Sequence, residues 1–195
     1  MKKNYFNGIL LGPLLDQDAK LLQGIIQMTN PKILVEFGYF RGDSARAMLE
    51  AMDEDAELHS FDNTKNPVVE DTRFHFYQKS QDEIEGIENI DFVFIDASHE
   101  FELNKKTFEK LRHIMSEKGI IAIHDTGTWI GGNVFNAEEG YSNAKGEWLH
   151  CPGEIDFVNW IKERYPCWQQ IHLHSSRQVR HGITLLQKSI ELSKE

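Results

Sequence analysis

Short apolar runs rich in β-branched and aromatic residues alternate with stretches whose apolar positions recur every three or four residues. Leu14, Leu15, Leu21, Leu22, Ile25 and Ile26 make the first helical stripe, and Asn30-Pro31 stops it. Ile33-Leu34-Val35 reads as a buried strand. Ala45, Met48, Leu49 and Met52 give the next helical face, with Asp43 or Ser44 placed to cap its start. Strands are predicted over 58–61, 74–77 and 91–96, with a polar turn and a short helix at Lys79-Ser80-Gln81-Asp82. Phe101, Phe108, Leu111 and Met115 form a helix face that Lys118-Gly119 terminates, and a further strand over 120–123 ends at His124-Asp125. A last helix (Ile155, Val158, Ile161) precedes two strand-like runs, 168–173 and 182–186, close enough to pair antiparallel.

Strands separated by helices need crossover connections, so the fold class is α/β: a doubly wound, seven-stranded, mostly parallel sheet with an antiparallel last strand. The 195 residues make one domain. Within it, residues 1–30 read as an N-terminal helical extension. Residues 126–154, rich in Gly, Asn and aromatics, read either as a lid over an acceptor or as a loop packed on the sheet edge.

Twenty-one Lys and Arg against thirty-one Asp and Glu leave a net charge of -10. Such a surface repels phosphate backbones and anionic lipid, which argues against nucleic acid and membrane as partners. The start lacks a signal-peptide pattern and no run approaches a membrane span. Cys151 and Cys167 show no metal spacing and read as unpaired thiols, so the expected location is cytoplasmic. Pairing into a homodimer is left open.

In an open α/β sheet, ligands bind beyond the carboxyl ends of the strands, and the polar, non-periodic residues fall there. Gly38 allows a sharp turn after the first strand. Gly42 would let backbone pass close to a ligand at the helix start. Asp62 follows the second strand, where a carboxylate can accept both hydroxyls of a ribose. Asp96 and Asp125 close neighbouring strands, and two adjacent carboxylates need a cation, a proton or a basic partner. Hard oxygen ligands there suit Mg²⁺ or Mn²⁺.

The run Glu36-x-Gly38-x-x-x-Gly42-x-Ser44-Ala45, with Asp62 and Ser80-Gln81-Asp82, resembles class I S-adenosylmethionine-dependent methyltransferases and their Rossmann-like fold. The run from Asp91 to His99, with the run from Gly119 to Asp125, resembles the metal-dependent O-methyltransferases. Both the catechol type and the branch that methylates macrolide sugars, which includes cephalosporin-hydroxylase-like proteins, are similar. The resemblance implies S-adenosyl-L-methionine as cofactor, held by Glu36, Gly38, Gly42 and Ser44 at the methionine end. It puts Asp62 on the ribose, Ser80 and Gln81 beside the adenine, and Asp96 at the cofactor and the metal. Ser80 could equally be a helix N-cap.

On this reading the acceptor is a small molecule, a sugar or glycoside hydroxyl. The divalent metal is held by Asp96, His124 and Asp125, and His99 takes the proton. His99 could instead cap the following helix. The chain departs from the relatives at His124, often Glu in the sugar-methylating branch, and at Thr126, where the catechol type has Asn. His124 reads as a ligand or as a buried structural histidine. Two rivals stay open: a non-catalytic nucleoside-binding module, and a nicotinamide-dependent oxidoreductase, which the missing second glycine of the turn disfavours.

Overall fold

The apolar runs form strands because both of their faces are covered, so successive residues of one strand feed two different cores. The computed structural model describes residues 5–6, 9–10, 16–63, 67–98, 100–126, 141–142, 148–149, 153–174 and 182–189. In chain order these build α1 (Asp16–Thr29), β1 (Ile33–Phe37), α2 (Asp43–Ala51), β2 (Glu57–Phe61), β3 (Phe74–Tyr77) and β4 (Ile90–Ile95). They continue with α3 (Phe101–Ile114), β5 (Met115–His124), α4 (Gly153–Arg164), β6 (Trp168–Leu173) and β7 (Ile183–Lys188). A 3₁₀ turn, Gln81–Glu83, follows β3, and short ladders pair Tyr5–Phe6 with Ile9–Leu10 and Tyr141–Ser142 with Trp148–Leu149.

The seven-stranded sheet runs β6-β7-β5-β4-β1-β2-β3. β7 lies antiparallel to both β5 and β6, and the other neighbours pair parallel. This is the predicted doubly wound α/β sheet with its last strand reversed.

Residues Val35, Phe37, Val93, Ile95, Ile121 and Ile123 face α3 and α4. Leu34, Leu58, Phe92, Phe94 and Ala122 face α1 and α2. Phe108 anchors the first core, with its ring 5.3 to 6.1 Å from those of Phe157, Trp160, Tyr165 and Trp168. Burying such a ring stabilises the fold by about 1.5–3 kcal/mol.

Two local expectations are corrected. Neither Asp43 nor Ser44 caps α2; the N-cap is Gly42, left-handed and without a side-chain bond. Met115 does not extend the α3 stripe, because its amide closes the helix on Leu111 while it pairs with Ile90 as the start of β5. The next β4 partner, Phe92, pairs with Ile120, so Lys118-Gly119 lies in an irregular stretch of the strand instead of ending the helix.

The carbonyls at the end of α2 are met from a distant segment: the Arg73 guanidinium donates to Leu49, Met52 and Asp53 at 3.0–3.2 Å. Among the described residues, no helix is long and apolar enough to cross a membrane.

Candidate active site at the carboxyl ends of the strands

Strand order switches direction between β1 and β4, and the chain turns sharply there. Gly38 has φ 99°, and a Cβ on it would lie 2.1 Å from the Asp96 carbonyl oxygen. Only glycine lets this turn nest against the end of β4. The Gly38 amide donates to Phe61 at 2.9 Å and the Asp96 amide to Phe37 at 2.8 Å, which laces the ends of β1, β2 and β4 together. At Gly42 (φ 73°) the neighbour is the Tyr39 ring, 2.7 Å from where a Cβ would stand.

A cleft of about 280 Å³ opens beyond β2, β3 and β4. Asp62 and Asn63 line it from β2, Ser80 and Gln81 from the turn after β3, and Ala97 and Ser98 from the end of β4. Asp62 Oδ2 accepts the Phe40 amide at 2.8 Å. Ser80 is the N-cap of the 3₁₀ turn, its amide donating to Glu83 and its hydroxyl to Asp82. Gln81 is buried; its Nε2 donates to Asn104 (2.8 Å) and Thr107 (2.9 Å), and its Oε1 accepts the Ser98 amide (3.4 Å). It therefore fixes the cleft wall to α3. A larger hollow of about 400 Å³ lies along α3 at Lys105, Glu109 and Trp160. It touches no strand terminus, so the smaller cleft is the one that the fold's geometry favours for a ligand.

Glu36 does not reach the cleft surface. It is 0% exposed, on the α2 side of the sheet, and accepts hydroxyls from Ser44 and Ser60. Burial raises its pKa from 4.5 to about 7, against the lowering effect of the two serine hydrogen bonds. The native state therefore binds this proton more tightly than the unfolded chain. The stabilisation is complete below about pH 4.5 and is lost as pH rises to about 7. The difference amounts to about 3 kcal/mol. Glu36→Gln should erase that slope: urea melts at pH 5 and pH 8 should show wild type losing about 3 kcal/mol relative to the variant. Equal losses in both proteins would refute a buried carboxyl with a raised pKa.

The densest chemistry lies one strand further along. His124 ends β5 with its ring between Asp96 and Asp125, its Nδ1 3.2 Å from Asp96 Oδ1 and 3.3 Å from Asp125 Oδ1. Its Nε2 lies 3.1 Å from Asp18 Oδ2 of α1. Burial opposes a charge on the ring, but Asp96 and Asp125, with Asp18 behind them, raise its pKa well above the ordinary value. Asp125 holds a left-handed φ of 60°, a strained conformation for a residue with a side chain. Parallel pairing of β4 and β5 brings Asp96 and Asp125 together, with the imidazole between them as the basic partner.

One donor atom from each of Asp96, His124 and Asp125 lies within 4.8 Å of the others, so the nitrogen–oxygen set fits a divalent cation. Thr126, where the catechol type has Asn, has its hydroxyl tied to Thr184 at 2.7 Å. Asp18 was not anticipated; the signal for it is an acid on the apolar stripe of α1, four residues before Leu22. His99 and most of residues 126–154 lie outside the described residues.

Residues 35–126 match the family described as "Methyltransferase domain". No curated protein matches the chain. Among solved structures, the O-methyltransferase TomG from Streptomyces achromogenes, involved in tomaymycin synthesis and in complex with SAM, aligns with TM-score 0.63. Its identity is 15%, over 91% of this chain and 82% of that one. The O-methyltransferase from Bacillus cereus in complex with SAH gives the same values. A 1,6-didemethyltoxoflavin-N1-methyltransferase from Burkholderia thailandensis aligns with TM-score 0.64 and 12% identity, over 89% and 80%. Residues 35–126 thus match the methyltransferase-domain family, and the chain has the fold of these S-adenosylmethionine-dependent methyltransferases.

Proposed function

We propose that this protein is a methyltransferase that transfers the methyl group of S-adenosylmethionine to a hydroxyl oxygen of a small molecule, a sugar or glycoside. The observation that carries the reading is the convergence of Asp62 and Gln81 on one cleft, with the Asp96–His124–Asp125 cluster at the adjoining strand ends. Bound there, S-adenosylmethionine supplies an electrophilic methyl on a positively charged sulfur.

The residues of the chain do the rest. Asp62 accepts the ribose hydroxyls while its other contact, the Phe40 amide, fixes its rotamer. Gln81 and Ser80 shape the wall beside the base. Glu36, Gly38, Gly42 and Ser44 build the turn at the methionine end. His99, three residues after Asp96, removes the acceptor proton, and alignment with the sulfonium supplies much of the rate. Asp96, His124 and Asp125 would hold a Mg²⁺ or Mn²⁺ ion, whose chemistry is to lower the pKa of the acceptor hydroxyl. The fold leaves the acceptor atom open, since the aligned toxoflavin-type enzyme is named as an N-methyltransferase.

A metal-free version of the same transfer is favoured by one observation: the His124 imidazole already stands as a basic partner to Asp96 and Asp125, 3.2 and 3.3 Å from their carboxylates. Calorimetric titration of S-adenosylhomocysteine with and without Mn²⁺ separates the two. Binding that strengthens with metal, and weakens in Asp96→Asn, supports the metal-assisted reaction; binding and turnover indifferent to metal support the other. In both, Asp62→Ala should weaken S-adenosylhomocysteine about 100-fold, the worth of a pair of charge-assisted hydrogen bonds. Unchanged affinity in that variant would remove the cleft from the cofactor.

A further inference from the structure

A second cluster of ligating side chains lies on the sheet outside the cleft. We propose that Glu57, His59 and His75 form a binding site for a divalent transition-metal ion of borderline softness, with Zn²⁺ as the representative. His59 of β2 and His75 of β3 stand directly opposite each other in the parallel register. Glu57 precedes His59 by two residues, which puts its side chain on the same face.

Glu57 Oε2 lies 3.4 Å from His59 Nε2 and 3.7 Å from His75 Nε2, and the ligating atoms all lie within 4.8 Å of one another. Ligands at about 2.0–2.1 Å from a tetrahedral Zn²⁺ are separated from each other by about 3.3–3.5 Å, so small side-chain rotations complete the site. Two imidazoles and one carboxylate are a donor set that Zn²⁺ uses with a water in the fourth position.

The surroundings are already organised for it. His59 Nδ1 is 3.1 Å from the Tyr77 hydroxyl, which orients the ring and leaves Nε2 toward Glu57. The two imidazoles stack with centroids 4.9 Å apart. The His59 side chain is only 11% exposed, whereas His75 at 40% and Glu57 at 51% leave an entry from solvent. An ion here would clip the outermost strand, β3, to β2. It would also hold Tyr77, whose ring stacks on Phe61 at 4.7 Å, and Phe61 lines the cleft.

The site differs from the Asp96–His124–Asp125 cluster in strands and donors, so variants at each tell them apart. Chelator-stripped protein is titrated with Co²⁺, read by the visible absorption of a four-coordinate ion, and the Co²⁺ is then competed with Zn²⁺. Wild type should develop the bands and lose them to Zn²⁺. Glu57→Ala and His75→Ala, both at partly exposed positions, should each weaken Zn²⁺ more than about 100-fold, since loss of a direct ligand exceeds the 10–100-fold of an outer partner. Asp96→Asn should keep the bands. Bands that survive both Glu57→Ala and His75→Ala, bands that vanish only in Asp96→Asn, or a wild type without bands at millimolar Co²⁺ would each overturn the proposal. Failure here leaves the S-adenosylhomocysteine titration untouched.

Discussion

His124→Ala is expected to destabilise the protein by about 3–5 kcal/mol, the usual effect of stripping the partner from buried charges. The imidazole is the neighbour of three carboxylates at once, with Asp96, Asp125 and Asp18 all 3.1–3.3 Å from its nitrogens. Removing it leaves these acids facing one another at low dielectric, where they must take up protons or move apart. For a chain of this size the melting temperature should fall by on the order of 10 °C. Differential scanning fluorimetry at neutral pH reads the shift, and Asp18→Asn, which removes one of the acids instead, should cost less. If the cluster is also a cation cradle, millimolar Mn²⁺ should recover about half of the lost stability in His124→Ala by mass action on the native state. A variant as stable as wild type would mean that the imidazole does not balance these acids.

Gly38→Ala should be nearly as severe and should act on the cleft as well. The new methyl meets the backbone of Asp96 and Ala97, which cannot swing aside as a flexible side chain would, and the left-handed φ adds its own strain. Strain and overpacking together come to about 4 kcal/mol. The ends of β1 and β4 would be pushed apart, which displaces Asp96 from His124. Urea melts should show the stability loss, and titration with S-adenosylhomocysteine should show no binding at concentrations that saturate wild type. Normal melting and normal titration in the Gly38→Ala variant would contradict the nested turn.

The strands were legible in the sequence because a doubly covered strand cannot alternate: Ile33 to Phe37 and Ile90 to Ile95 must be apolar on both faces but for the sites that carry chemistry. The doubly wound order followed from the helical stretches between them. The junction at Met115 was not legible, since one apolar residue suits both the last turn of α3 and the first pairing of β5, and only the register with Ile90 decides. The cap of α2 was misplaced for a related reason. Asp43 and Ser44 are good cap residues, but the chain enters α2 through a left-handed Gly42 packed against the Tyr39 ring, and the Ser44 hydroxyl is taken by Glu36.

At the site, Asp62 was legible from its position after a strand, whereas Ser80 and Gln81 were reached through the family resemblance; all three line one cleft. The partners of Gln81 and Glu36 were not legible, because Asn104, Thr107 and Ser60 look like ordinary polar residues until the elements pack. The Glu57–His59–His75 group is invisible along the chain for the same reason, as His75 joins it only through the β2–β3 register.

The Asp18–His124 contact joins residues 106 positions apart. Helix α1 leaves the ribosome before every strand of the seven-stranded sheet, yet its acid has no His124 imidazole to meet until the fifth strand has been synthesised and inserted beside the fourth. Such a distant closure is entropically slow to reach. The charged cluster at the strand ends can therefore close only after the fifth of the seven strands has been made, however early α1 itself has formed.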